Sequence, residues 1–162
     1  MANGWYNNGK LRCWKGSAGA VDVIADVLVV IALEAYSDQE LDDEFVNAAG
    51  GEGLDRAGTT EVSSTGYTGG FEGSGRLTLA TKALTVDLTG NRAEFDCDDL
   101  VWSAISQATS ETWVGFLFCK ELTSDALSPL LWAVSSATGL PLTPNGSDIT
   151  LTIDAEGLAQ IT

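Results

Sequence analysis

The chain has 162 residues, 44% hydrophobic and 19% charged, a balance that favours one ordered domain with a packed core over disorder. Eight basic against 23 acidic residues give a net charge of −15, which repels phosphate backbones and anionic lipid surfaces and argues against nucleic acid or membrane as a partner. There is no histidine, so Ser-His and Cys-His activation and imidazole metal sites are excluded.

The opening residues "MANGWYNNGK" lack a basic stretch followed by an apolar one, so no secretory leader is expected and the chain is expected to be made in a cytoplasm. A short helix is expected from about Trp5 to Lys15, within an N-terminal helical arm at 1–17. Its Asn and Gly content makes it weak by propensity, so Trp5, Tyr6, Leu11 and Trp14 need a surface to cover them and are the candidate contact residues. The run "VDVIADVLVVIAL" carries Asp22 and Asp26 and is too short to span a bilayer; its "LVVIAL" half at 28–33 predicts a buried strand. "SDQELDDEFVNAAGG" predicts a second helix near 38–49, with Ser37 and Glu40 in capping-box spacing, Leu41 and Phe45 as its apolar stripe and Gly50 to close it.

The segment "SSTGYTGGFEGSGRLTL" concentrates glycine. Gly70 and Gly75 have the spacing of a phosphate-binding loop, but Arg76-Leu77 stands where Lys-Ser or Lys-Thr belongs, and "RLTLATKALTVDL" offers strands in place of the required helix. The dinucleotide fingerprint fails as well, with Thr78 at its third position. The glycines therefore predict tight bends: a short strand at 63–67, then an exposed loop at 68–75, with the aromatics Tyr67 and Phe71 as anchors in this Gly-rich region of 63–75.

From there the pattern is strand after strand. "RLTLAT" (76–81) and "LTVDL" (84–88) alternate, and "NRAEFD" (91–96) and "DLVWSAIS" (99–106) follow across turns at Thr89-Gly90-Asn91 and Cys97-Asp98. "ETWVGFLFCKE" (111–121) is apolar on both faces, "SPLLWAV" (128–134) opens at a proline, and "PNGSDITLTIDA" (144–155) turns at Asn145-Gly146 into an alternating strand. "GLAQIT" (157–162) is the last. This spacing predicts a mainly β single domain over 1–162, an antiparallel β-sandwich or barrel with the two helices as additions.

Trp102, Trp113 and Trp132 fall in strands and are expected in the core, leaving Trp5 and Trp14 as the exposed pair. Cys97 and Cys119 fit packing positions, and three cysteines without metal spacing predict reduced thiols. Glu94, Asp96 and Asp98 share one strand face opposite Phe95 and Cys97, as in a half-buried strand entering an acidic turn. Calcium at Asp96, Asp98 and Asp99 is the open alternative, although the EF-hand pattern fails for want of glycine at its sixth position. No cofactor is expected.

The segments "NGWYNNGK", "STGYTGG", "LTVDLTGNRAEFDCDDLVWSA", "SPLLWAV" and "NGSDITLTIDAEGLAQIT", in this order across nearly the whole chain, resemble a family of small tailed-bacteriophage virion proteins described as structural or head-decoration proteins. The matching residues are Trp5-Tyr6-Asn7, Ser64 to Thr68, Phe95 to Trp102 and Ser128 to Leu130; the departures are Cys13, Cys97, Cys119 and the extra glycines at 69–75. The resemblance implies a non-enzymatic head-decoration (cement) protein on the capsid exterior that binds the major capsid protein and assembles as a homotrimer. Trp5, Tyr6, Leu11 and Trp14 then become candidate oligomer or capsid contacts. A tail or neck component and a carbohydrate-binding virion adhesin are the competing expectations.

Overall fold

A computed structural model describes residues 4–5, 20–37, 43–48 and 51–161. These residues form strands and turns and no helix. In chain order the strands are β1 (Gly4–Trp5), β2 (Leu28–Ala35), β3 (Asn47–Ala48), β4 (Glu52–Gly53), β5 (Thr60–Glu61), β6 (Leu77–Thr78), β7 (Ala83–Asp87), β8 (Arg92–Asp96), β9 (Leu100–Trp102), β10 (Gly115–Lys120), β11 (Leu130–Val134), β12 (Ile149–Leu151) and β13 (Ala159–Ile161). All pairings are antiparallel.

The main sheet runs β1-β11-β10-β2-β5, with β6 on the other end of the β2 edge. Its middle strands carry Val, Ile, Leu and Phe without alternation because both faces are covered, the composition a doubly buried strand requires. In β2, Leu28, Val30 and Ala32 join one apolar cluster, whereas Val29, Ile31 and Leu33 join the other. Strand β10 divides likewise, Phe116 and Phe118 to one side and Leu117 and Cys119 to the other. A bulge in β11 places Phe118 opposite Trp132 but Cys119 opposite Leu130, so Leu131 is the extra residue. Leu131 and Trp132 consequently both serve the first cluster, which an unbroken alternation would forbid.

The first cluster is completed by two smaller sheets, β12-β9 and β13-β8-β7, through Trp102, Ile149, Phe95 and Ala159. The second is closed by the β3-β4 hairpin, through Val46 and Leu54, together with Tyr36. Aromatic rings hold the first cluster together. Trp113 meets Tyr67 and Trp102 edge-on at 5.7 and 5.3 Å, and Trp102 stacks on Phe116 at 5.6 Å. Trp132 stacks on Phe118 at 5.0 Å and meets Phe95 edge-on at 5.7 Å. Each such side chain contributes about 1.5–3 kcal/mol through burial, and paired rings add roughly 0.5–1.5 kcal/mol. Two of the indole donors are satisfied inside: Trp113 Nε1 donates to Ser64 Oγ at 2.9 Å and Trp102 Nε1 to the Gly75 carbonyl at 2.7 Å. The expected burial of Trp102, Trp113 and Trp132 is therefore observed.

The helices are the correction. Where the segment expected as a helix near 38–49 is described, at 43–48, it is extended and its donors leave the segment: Val46 N–H donates to Ser128 O at 2.9 Å and Asn47 N–H to Asp125 O at 3.3 Å. Phe45 bridges Pro129, and Val46 is wholly buried. A helix would tie these amides to its own carbonyls and turn Val46 off the sheet, so tertiary contacts outweigh the capping signal. Residues 38–42 and 49 lie outside the described set. The helix expected from Trp5 does not start there either, because Gly4 and Trp5 pair with Ala133 and Trp132 as an edge strand; the rest of the 1–17 arm lies outside the described residues. Two strands are also shorter than expected. The 63–67 strand contracts to a bridge between Thr65 and Ser106, and 76–81 contracts to β6, since Arg76 N–H turns back to Gly73 O and Thr81 adopts φ 50°.

Candidate functional site

The densest polar constellation lies in the Gly-rich region. Three bends fold it back on itself: Gly73 N–H donates to Gly70 O, Gly75 N–H to Thr68 O and Arg76 N–H to Gly73 O. Glycine is required at 75, where an added Cβ would stand 2.5 Å from Tyr67 Cγ, and at 73, where it would stand 2.2 Å from Thr68 O. The loop thus wraps the Tyr67 ring and is neither a phosphate cradle nor a linker.

This wrapping buries Arg76, whose side chain is only 2% exposed. Its Nε and Nη2 donate to Glu61 Oε1 and Oε2 at 2.9 and 2.7 Å, and its Nη1 and Nη2 to Asp125 Oδ1 and Oδ2 at 2.6 and 3.1 Å. Glu61 also accepts from Tyr67 Oη at 2.9 Å and from Gly70 N–H at 3.0 Å. Tyr67 Oη in turn accepts the Ala32 amide of β2. One guanidinium therefore joins β5, the Gly-rich loop and the turn before β11, with Tyr67 linking them to β2. Burial alone would raise the Glu61 carboxyl, but the Arg76 hydrogen bonds and charge, with Gly70 and Tyr67, outweigh it and hold the group below the usual carboxylate range. Burial likewise works against the Arg76 charge, and Glu61 and Asp125 reverse it. Burial and the neighbouring Glu61 charge raise Tyr67, so it stays a neutral donor.

A second carboxylate pair, Glu34 and Glu111, lies near the same end of β2, where Leu33 pairs with Glu61. Glu111 is buried; its Oε2 accepts from Ser63 Oγ at 3.2 Å, while Oε1 has no hydrogen-bond partner. Burial, then the Glu111 charge, raises the carboxyl of Glu34.

The acidic strand end is dispersed. Glu94 accepts from Arg92 Nε, Asp96 accepts the Cys97 amide, Asp98 accepts from Thr81 Oγ1, and Asp99 accepts the Ile153 amide. Among the described residues no group of three or more Cys, Asp or Glu is placed to hold a metal ion. Neither described cysteine is poised as a nucleophile: both are free thiols, and burial followed by Asp96, Asp98 and Asp99 pushes Cys97 up to about 11, while burial raises Cys119 further.

The expected contact residues are only partly placed. Trp5 lies in β1 at the edge of the main sheet, opposite Trp132; Tyr6, Leu11 and Trp14 lie outside the described residues.

Sequence reasoning missed how the cations are used. Arg56 pairs with buried Asp43, Arg76 with Glu61 and Asp125, Arg92 with Asp87, Glu94 and Glu156, and Lys120 with Asp26, while Lys82 donates to the Asp26 carbonyl. Every described basic side chain is thus engaged within the chain. Among the described residues, the exposed carboxylates Asp55, Glu72, Asp148 and Asp154 have no basic side chain paired with them, so the free charge of the described surface is negative. No protein family, curated protein or solved structure matches the chain.

Proposed function

We propose that this chain is a non-enzymatic structural protein of a tailed-bacteriophage virion, a head-decoration protein attached to the outer face of the capsid shell through the major capsid protein. The ordered motifs from Trp5 to the C-terminal strand support the family reading, and the layering of small sheets over a main sheet is compatible with the sandwich expected of it. The observation that carries the attachment is the engagement of every described cation by the chain's own carboxylates and carbonyls, against a net charge of −15. Such a surface complements a basic patch on a protein partner and repels nucleic acid and anionic lipid. The burial of Trp102, Trp113 and Trp132 removes these three from the exposed aromatic platforms that a sugar-binding adhesin needs.

The test is co-sedimentation of the purified chain with shells that lack it, across a sodium chloride series, followed by electron cryo-microscopy of the decorated particles. Saturable binding that weakens as salt rises, with density on the shell exterior, is the expected result. Failure to bind, or density confined to the tail, overturns it.

A further inference from the structure

Strand β7 is an edge left bare. In the order β13-β8-β7 it is paired with β8 alone, so its outward backbone amides and carbonyls have no strand partner among the described residues. Natural edge strands are usually guarded by lysine, proline, a bulge or an inward charge. Residues 83–87, "ALTVD", hold none of the first three, and the neighbouring Lys82 is drawn away to the Asp26 carbonyl. The only charge, Asp87, lies on the face opposite the apolar row and is paired with Arg92 at 3.2 Å. On that row Leu84 is 55% exposed and Val86 71%, and Leu88, the first turn residue after the strand, is 88% exposed. Leu84 stands opposite Phe95, which is in the core, whereas Val86 stands opposite Ala93, farther along the projecting hairpin. An apolar strip thus runs off the rim of the core beside an unpaired edge.

We propose that β7 pairs antiparallel with β7 of a second copy of this chain about a twofold axis at Val86, making one continuous sheet β13-β8-β7-β7-β8-β13. A twofold that keeps the apolar faces on the same side must pass through a residue, so only a few registers compete. Centring on Asp87 sets two carboxylates directly opposite one another. Centring on Thr85 pairs Leu84 with Val86 but leaves Leu88 without an apolar residue opposite, and centring on Leu84 leaves Val86 without one. Centring on Val86 pairs Val86 with itself and Leu84 with Leu88, matching all the exposed apolar residues, and places Asp87 opposite the Thr85 hydroxyl. Of these registers it is the one that matches Leu84, Val86 and Leu88 together, the self-complementarity an isologous contact requires. One short strand per copy buries less than the roughly 1,200 Å² of a standard stable interface, so the dimer is reversible, with dissociation in roughly the tens-of-micromolar range.

This pairing does not rest on shell attachment, and salt separates the two. Each copy carries −15, so screening strengthens an apolar contact between copies while it weakens attachment to a basic patch. Sedimentation velocity of the full chain over a concentration series should show monomer passing to dimer, tighter at higher salt. Val86→Lys, at a position already facing solvent, should abolish the dimer without changing the circular dichroism spectrum. Val86→Cys should give a disulfide-linked dimer on a non-reducing gel and Thr85→Cys should not, because the two copies of residue 85 then lie about 8 Å apart at Cα, beyond disulfide reach. A chain that stays monomeric, a trimer indifferent to Val86→Lys, association that weakens with salt, or preferential crosslinking through Thr85→Cys would each overturn the proposal.

Discussion

Arg76→Met removes the guanidinium while keeping an apolar stem of similar length. In the native chain the guanidinium grips Glu61 and Asp125 in two-point fashion, and those carboxylates are only 12% and 17% exposed. After the substitution both carboxylates lose their shared cation in a site with little access to water. Breaking a buried pair by removing one partner costs about 3–5 kcal/mol, and because both acids keep some access to water the lower end applies, about 3 kcal/mol. For a chain of this size that is a fall in Tm of roughly 6–12 °C. The pH dependence follows from Glu61, whose folded pKa is depressed. Its contribution to stability is present above the ordinary glutamate value of about 4.3 and is lost as pH falls through the lower folded value. The variant has already lost that contribution, so its deficit is widest near neutrality and narrows in acid. Urea unfolding followed by tryptophan fluorescence at about pH 7 and about pH 4 measures both quantities. Arg76→Met/Glu61→Gln should recover part of the single variant's loss at neutral pH, because it removes one unpaired charge. A deficit below about 1 kcal/mol, or an equal deficit at both pH values, would refute the reasoning, since an exposed ion pair behaves that way.

The remaining predictions concern the other buried groups. Glu111→Gln should stabilise the chain by about 1 kcal/mol in thermal unfolding at neutral pH, since it removes a buried charge with one oxygen unsatisfied and relieves Glu34. Glu34 itself has a raised folded pKa, so the stability linked to its proton is present below the ordinary glutamate range and is lost as pH rises through the raised value; the benefit of Glu111→Gln should therefore shrink in acid. Gly75→Ala drives a methyl into the Tyr67 ring and should cost about 1–3 kcal/mol in urea unfolding. Gly70→Ala meets open space and bears only the strain of φ +82°, about 1–2 kcal/mol, and its near-UV circular dichroism should stay native where that of Gly75→Ala changes at the aromatic bands.

Strand identity was legible in the sequence because it rests on local chemistry. β-branched runs, the Thr89-Gly90-Asn91 and Asn145-Gly146 turns, and doubly apolar stretches such as "VGFLFC" announce strands and hairpins wherever they are placed, and β2, β7, β8, β10, β11, β12 and β13 lie where those signals stand. The burial of Trp102, Trp113 and Trp132 followed from the same pattern. The segment at 43–48 was decided only by the fold: its capping spacing and acidic first turn favour a helix in isolation, but Ser128 and Asp125 offer carbonyls and the main sheet offers Val46 a fully buried seat. The role of the glycines was likewise tertiary, since nothing local to 66–75 says that a tyrosine ring will lie against Gly75. Least legible was the fate of the charges. Arg76 and Asp125 are 49 residues apart, and charge count alone cannot tell a solvated arginine from one that two carboxylates seal inside the protein. Composition fixes the sum of the charges, but which ones remain free to meet a partner depends on who stands beside whom, and that is settled only when the sheets close.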